Sequence, residues 1–397
     1  MLQEVPTEIQ LMIIQQLGPR EKLNLLCTSP HFYNCVQPLI YETLSPRNPQ
    51  RLVDTLVRNP VLCTYARSLR LAAWDTPYPW ANDDGRDLDL DLILRRYDIS
   101  PVLAKAREAS LPGKQAVAWE RDLKKENPDA WIALLLTLLP NLCRLEIQFP
   151  DRSTYVPQVI LRAAAGQFSI PVLQRLEQVF VSAGFEPYGL VTSLVLPFFG
   201  LPALRSVFTD ALFDGEIGVA IGSSPIKHIS VGTFSGGLES LSELIRNCPG
   251  LESYRHGYFP FNFWTRHGPN YLIYPALFQA RRTLKRLWLD IEPHPEGKRP
   301  VWPSFTGFTA LRFLHAPYGL LEHLHRSVTQ ARTPVPHLAG ILPPSLKTLQ
   351  ITQIHGAGGI NVLAQSLMEY IQSETVHVTD IVVFTAPVRP KSRPTHS

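Results

Sequence analysis

The sequence predicts a mixed α/β protein: an all-helical head followed by an irregular solenoid of strand-plus-return units. Near the start of the chain, apolar residues recur every four positions at Val5, Ile9, Ile13 and Leu17, which marks one face of a helix. Further on, the motif L-x-x-L-x-L returns after a proline or a polar turn, the sign of stacked units that each have too little core alone. The longest strongly apolar run, Trp131 to Leu139, falls short of the roughly 20 residues that a bilayer-spanning helix needs, so no transmembrane segment is expected.

In the head, Pro6 suits a first helical turn, and Thr7 with Gln10 has capping-box spacing. Gly18-Pro19 stops the first helix. A second helix fits Arg20 to Thr28, with Leu23, Leu26 and Cys27 on one side. Ser29-Pro30 reads as a cap and a first-turn proline for a third helix, with Phe32, Cys35 and Val36 inward. Pro38 is expected to end that helix and to leave Leu39-Ile40-Tyr41 as an apolar exit. Three short helices make a poor independent core, so a partner protein is expected to cover part of them. Met1 to Glu4 carries no Lys or Arg, so the basic start of a secretory signal is missing.

Val5-Pro6-x-Glu8-Ile9, Ile13, Leu17, Leu23, Leu26, Ser29, Phe32-Tyr33, Val36, Pro38-Leu39 and Tyr41 together resemble an F-box. Val-Pro stands where Leu-Pro is usual, and Pro30 where an Arg usually follows the Ser. The resemblance implies binding to a Skp-type adaptor, and through it to a cullin–RING ubiquitin ligase. Val5, Pro6, Ile9, Ile13, Leu17 and Leu23 would then form the adaptor-facing surface.

The repeat motif begins at Leu142, Leu173, Leu204, Ile226, Leu251, Leu284, Leu311 and Leu346, with an early copy at Ala66 to Leu71. Spacings of 31, 31, 22, 25, 33, 27 and 35 residues straddle and exceed the ~20–29 of leucine-rich repeats. The units resemble degenerate leucine-rich repeats, each a strand with a helical or irregular return, such as Leu241 to Asn247 and Tyr274 to Arg282. An F-box with divergent repeats is similar to the large fungal group of F-box proteins. The expected layout is an F-box at 1–45, a linker and first repeat at 46–75, a polar insertion with one or two exposed helices at 76–128, the array at 129–385, and a Pro- and Arg-rich disordered tail at 386–397. A long loop is expected at 293–304.

A net charge of +4 implies neither nucleic acid nor a membrane as partner. The five cysteines are scattered without C-x-x-C spacing and read as reduced, mostly buried thiols of a cytoplasmic or nuclear protein. Asp83, Asp84, Asp87, Asp89 and Asp91 lack the order of a calcium loop. His355-Gly-Ala-Gly-Gly lies between a strand and a helix but lacks a P-loop Lys and reads as a flexible turn. His315, His323, His325 and His337 lack a fixed third metal ligand and read as surface residues. No nucleophile sits in a recognised setting, so no catalytic residue, metal or cofactor is assigned.

Alternation along each strand makes Glu146, Phe208, Ser230, Arg255, Trp288, His315 and Gln350 face outward. Arg255, Trp288 and His315 are the expected target-recruiting residues, walled by the aromatic loop Tyr258 to Trp264. The function expected is a non-catalytic, substrate-recruiting ligase subunit with an unidentified protein target. A non-ligase scaffold or an enzyme hidden in the repeats is the alternative.

Overall fold

The computed structural model describes residues 5–72, 74, 98–110, 113–150, 152–184, 189–213, 223–235, 239–257, 273–290, 303–329, 337–354, 356–373 and 378–385. The chain divides into two compact units, Met1–Glu186 with Leu194–Arg205, and Pro187–Ser193 with Ser206–Ser397. Asp83 to Asp91, the Tyr258 to Trp264 loop, most of the 293–304 loop, the side chain of His323, His355 and the tail from 386 lie outside the described residues.

The first unit opens with three helices, α1 (Thr7–Gln16), α2 (Pro19–Leu26) and α3 (Pro30–Glu42). Ile14, Phe32 and Val36 form their buried centre, with Leu25, Leu26, Cys35, Leu39 and Ile40 packed around it. Two local expectations are corrected. Pro38 does not end α3, which runs through it to Glu42. Burial of Leu39 and Ile40 against the Ile14 cluster outweighs the missing proline N–H, since tertiary packing overrides propensity. The capping box is not formed either, because Pro6 takes the N-cap position. Gln10 instead donates to the Val5 carbonyl at 2.6 Å and meets His31 Nε2 at 2.7 Å, tying α1 to α3.

The chain leaves α3 directly into β1 (Thr43–Leu44), which pairs in parallel with β2 (Ser68–Leu71). β3 (Arg144–Phe149) and β4 (Gln178–Ala183) continue the parallel sheet, with Ser68 opposite Arg144 and Arg144 opposite Gln178. Leu69, Leu71, Leu145 and Ile147 are buried, while Arg70 and Glu146 between them form an ion pair at 2.8 Å. The expected exposed helices of the 76–128 segment are Ser100–Ala109 and Lys114–Lys124. They are not solvent-bridging: Val102, Leu103, Ala106, Trp119 and Leu123 are buried, and the Trp119 indole donates to the Ala130 carbonyl at 3.0 Å. Their apolar face packs against the helix Pro128–Thr137, which is buried from Asp129 to Thr137; the residues between those two ends are all apolar and need cover on every side.

The second unit holds β5 (Leu190–Val191), β6 (Ser206–Phe213), β7 (His228–Ser235), β8 (Ser253–His256), β9 (Arg286–Leu289), β10 (Phe313–Pro317), β11 (Thr348–Ile354) and β12 (Asp380–Thr385). β5 lies beside β6, and β6 to β12 pair in parallel in chain order. Helices Glu239–Arg246, Ile273–Gln279, Tyr318–Thr329 and Gly356–Ile371 lie between successive strands. The glycines of Gly356 to Gly359 form the first turn of the last of these helices, not a flexible turn. Of the cysteines only Cys63 and Cys248 are buried, so the expectation of mostly buried thiols is not met; burial pushes the Cys248 thiol up to about 12.

Candidate functional site

Two surfaces come from the residues singled out above. On the head, Ile9 is 44% exposed, Met12 62%, Ile13 40% and Leu23 54%. Pro6 is exposed, and Val5 and Leu17 are half-buried. The helix period explains the split: Ile14 points to Phe32 and Val36, while Ile9, Met12 and Ile13 fall on the opposite side of α1. Ile9, Met12 and Ile13 on α1 and Leu23 on α2 are thus large aliphatic side chains left open to solvent, the kind of surface that a partner covers when it is contiguous.

The second surface lies on the sheet of the second unit. Parallel register puts Phe208, Ser230, Arg255, Trp288, His315 and Gln350 in one row across β6 to β11. Leu287, Leu289, Leu314, Leu349 and Ile351 point the other way and are buried. Arg255, Trp288 and His315, nominated from three separate repeats, are brought together. The rings of Trp288 and His315 stack with centroids 3.8 Å apart and planes 10° apart. The Arg255 guanidinium lies 4.7 Å from the Trp288 ring centroid, a cation–π distance.

Asp290 organises the group. The Trp288 indole donates to its Oδ2 at 2.7 Å, and His315 Nε2 donates to its Oδ1 at 2.7 Å. Gln350 Oε1 lies 3.2 Å from His315 Nδ1. Burial would push the Asp290 carboxyl up, but the bonds from His315 and Trp288 outweigh it and hold the group below the usual aspartate range. His315 is only 3% exposed, which corrects its reading as a surface residue. Ring stacking and the carboxylate bond sink it beneath the surface, so it positions Trp288, while Arg255 and the half-buried Trp288 face outward. Asp290 was missed in the sequence because it stands one residue beyond the strand. Period 2 from Arg286 and Trp288 would have placed it on their face.

His325 is also buried; its Nδ1 accepts from the His337 amide at 3.0 Å. Among the described residues, no cluster of His, Cys, Asp and Glu is placed to hold a metal ion, and no helix is long and apolar enough to cross a membrane.

A family model described as a leucine-rich repeat domain matches residues 162–386, more than half of the chain. The chain belongs to the leucine-rich repeat family. Among solved structures, an internalin from Listeria monocytogenes is similar at 13% identity over 64% of this chain and 66% of that one, with a TM-score of 0.28. The chain thus spans just under two thirds of that internalin's length. No curated protein matches the sequence. In this leucine-rich repeat protein the outward row from Phe208 to Gln350 is the strand face of the repeats, and the matched region contains the whole Arg255–Trp288–His315–Asp290 group.

Proposed function

We propose that this leucine-rich repeat protein is a non-catalytic, substrate-recruiting subunit of a Skp–cullin–F-box ubiquitin ligase. Its α1 and α2 dock a Skp-type adaptor, and the strand face around Arg255 and Trp288 holds a protein target. Tethering a target beside a transfer enzyme raises the effective concentration of its lysines, so the subunit needs no chemistry of its own. Such a subunit would act in the cytoplasm or nucleus. The observation that carries the reading is the open apolar face of the head: Ile9, Ile13 and Leu23, three residues that the F-box resemblance assigns to the adaptor, are exposed while Ile14 beside them is fully buried.

Co-purification with a Skp-type adaptor tests it. Ile9→Asp places an unpaired charge in an apolar interface and is expected to abolish adaptor capture. It should leave the thermal unfolding of the free protein close to that of the parent, because Ile9 is already exposed. Adaptor capture undiminished in the folded variant would refute the assignment. Cullin and ubiquitin conjugates in the same pull-down separate a ligase subunit from a non-ligase scaffold.

A further inference from the structure

Along one margin of the second unit, the residue before each strand is held by the same backbone device. The Lys227 carbonyl accepts from the amides of Glu252 and Ser253, that of Glu252 from Lys285 and Arg286, that of Lys285 from Arg312 and Phe313, and that of Arg312 from Lys347 and Thr348, all at 2.8–3.1 Å. Residues 25, 33, 27 and 35 positions apart in the chain are thereby stacked one per strand, at the roughly 4.8 Å spacing of a sheet. The rungs read Lys, Glu, Lys, Arg, Lys.

The charges on this margin do not balance. Glu252 binds Lys227 Nζ at 2.8 Å and Lys285 Nζ at 2.7 Å, and those two bonds hold its carboxyl down at about 2. The Glu252–Lys285 pair also forms part of the lining of an open cleft of about 310 Å³, where Arg286, Arg312 and Lys347 stand beside it with Phe313 and Thr348, so that four cations face one carboxylate there. None of Arg286, Arg312 and Lys347 has a carboxylate partner among the described residues. Asp380 lies across β11 in register with Thr348 and accepts from the Thr379 hydroxyl at 2.9 Å. Like charges on adjacent strands destabilise a sheet, and a bound anion relieves that repulsion.

We propose that this cleft is an anion subsite for a peptide segment of a protein partner, one that carries a phosphate or a cluster of carboxylates. The proposal rests on reading the strand face as a partner surface, but not on the adaptor assignment. Guanidinium forks grip both oxyanions in bidentate fashion. The cleft is continuous with the patch above: Arg286 and Trp288 share one face of β9, and the Phe313 ring stacks on Trp288 at 5.9 Å and 22°. A nucleic acid is disfavoured, because bases need free aromatic faces for stacking. Trp288 is flanked by His315 from β10 and Arg255 from β8, which occupy its ring.

Fluorescence anisotropy on the full chain tests the proposal. The probes are a labelled Gly/Ser peptide with one phosphoserine, its unphosphorylated form, the same peptide with a Glu cluster, and a short single-stranded DNA. At least one anionic peptide should bind and the neutral one should not; the tighter of the two identifies the source of the oxyanion. The double reversal Arg312→Glu with Lys347→Glu should weaken that binding by about tenfold or more, without loss of thermal stability because both side chains are exposed. Matched reversal of Lys114 and Lys125, which lie in the first unit, should leave it unchanged. Equal binding by parent and Arg312/Lys347 variant, equal loss in the matched control, equal binding of neutral and anionic peptides, or tighter binding of the DNA would each overturn the proposal. Adaptor capture, scored separately with Ile9→Asp, fails or succeeds independently of this result.

Discussion

The rings of Trp288 and His315 lie face to face, 3.8 Å apart, although 27 residues separate them in the chain. Both bind the same carboxylate, Asp290. This fixes the tryptophan in one orientation and leaves Arg255 as the exposed member of the group. Arg255→Ala should therefore reduce target capture while changing stability by no more than about 0.5 kcal/mol. Target pull-down beside a denaturation curve checks it; intact capture would remove Arg255 from the binding face.

Trp288→Ala removes the stack and should lower both stability, by about 1 kcal/mol, and target capture. Trp288→Phe keeps a ring over His315 and should restore part of each. Capture that survives Trp288→Ala while stability falls would show the ring to be core alone.

Acid should unfold the second unit in part through two carboxylates. The folded-state pKa of Glu252 is depressed from 4.5 to about 2, by hydrogen bonds from Lys227 and then Lys285; that of Asp290 is also depressed below 3.8. Groups depressed on folding contribute stability that is present above the unfolded pKa and is lost as pH falls through the folded one. Glu252→Gln and Asp290→Asn should each flatten the stability profile below about pH 4.5. Urea midpoints measured from pH 6 to pH 2.5 give the slopes, and unchanged slopes in both variants would contradict the pairing.

In the first unit, buried Asp129 binds the start of the helix Tyr155–Ala164: its Oδ1 accepts from the Ser153 hydroxyl at 2.6 Å, and its Oδ2 from the Thr154 and Tyr155 amides at 2.7 Å. Asp129→Ala leaves three donors unpaired and should cost about 3 kcal/mol. Asp129→Asn keeps acceptor capacity and should cost less. The unfolding free energies of the two variants decide this.

Gly232 on β7 lies against the Asp210 backbone of β6, so that an added Cβ would overlap the Asp210 carbonyl oxygen. Gly232→Ala must push the two strands apart and should destabilise by about 2 kcal/mol. An unchanged melting temperature would show that the strands adjust freely.

Much of the repeat face was legible because its signal is local. Leu284, Leu287 and Leu289 alternate with outward residues within six positions, and a strand's two faces follow from that spacing alone. β12 was not legible as a repeat: Ile381-Val382-Val383-Phe384 lacks the leucine spacing, and its place beside β11 comes from pairing. The end of α3 was misread because Pro38 is a local stop signal, whereas the burial that overrides it comes from α1. Cover for the two helices within 100–124 comes likewise from elsewhere, the helix Pro128–Thr137.

The order of the repeats, the outward identity of Arg255, Trp288 and His315, and the apolar stripe of α1 were determined by the sequence alone, because each is a matter of period along one short segment. Only the tertiary structure decided that His315 is sunk beneath Trp288, that Asp290 joins them, and that Lys285, Arg312 and Lys347 stack along one margin. Stacked parallel strands bring residues 27 to 35 positions apart to within a strand spacing, and chain distance carries no record of that proximity.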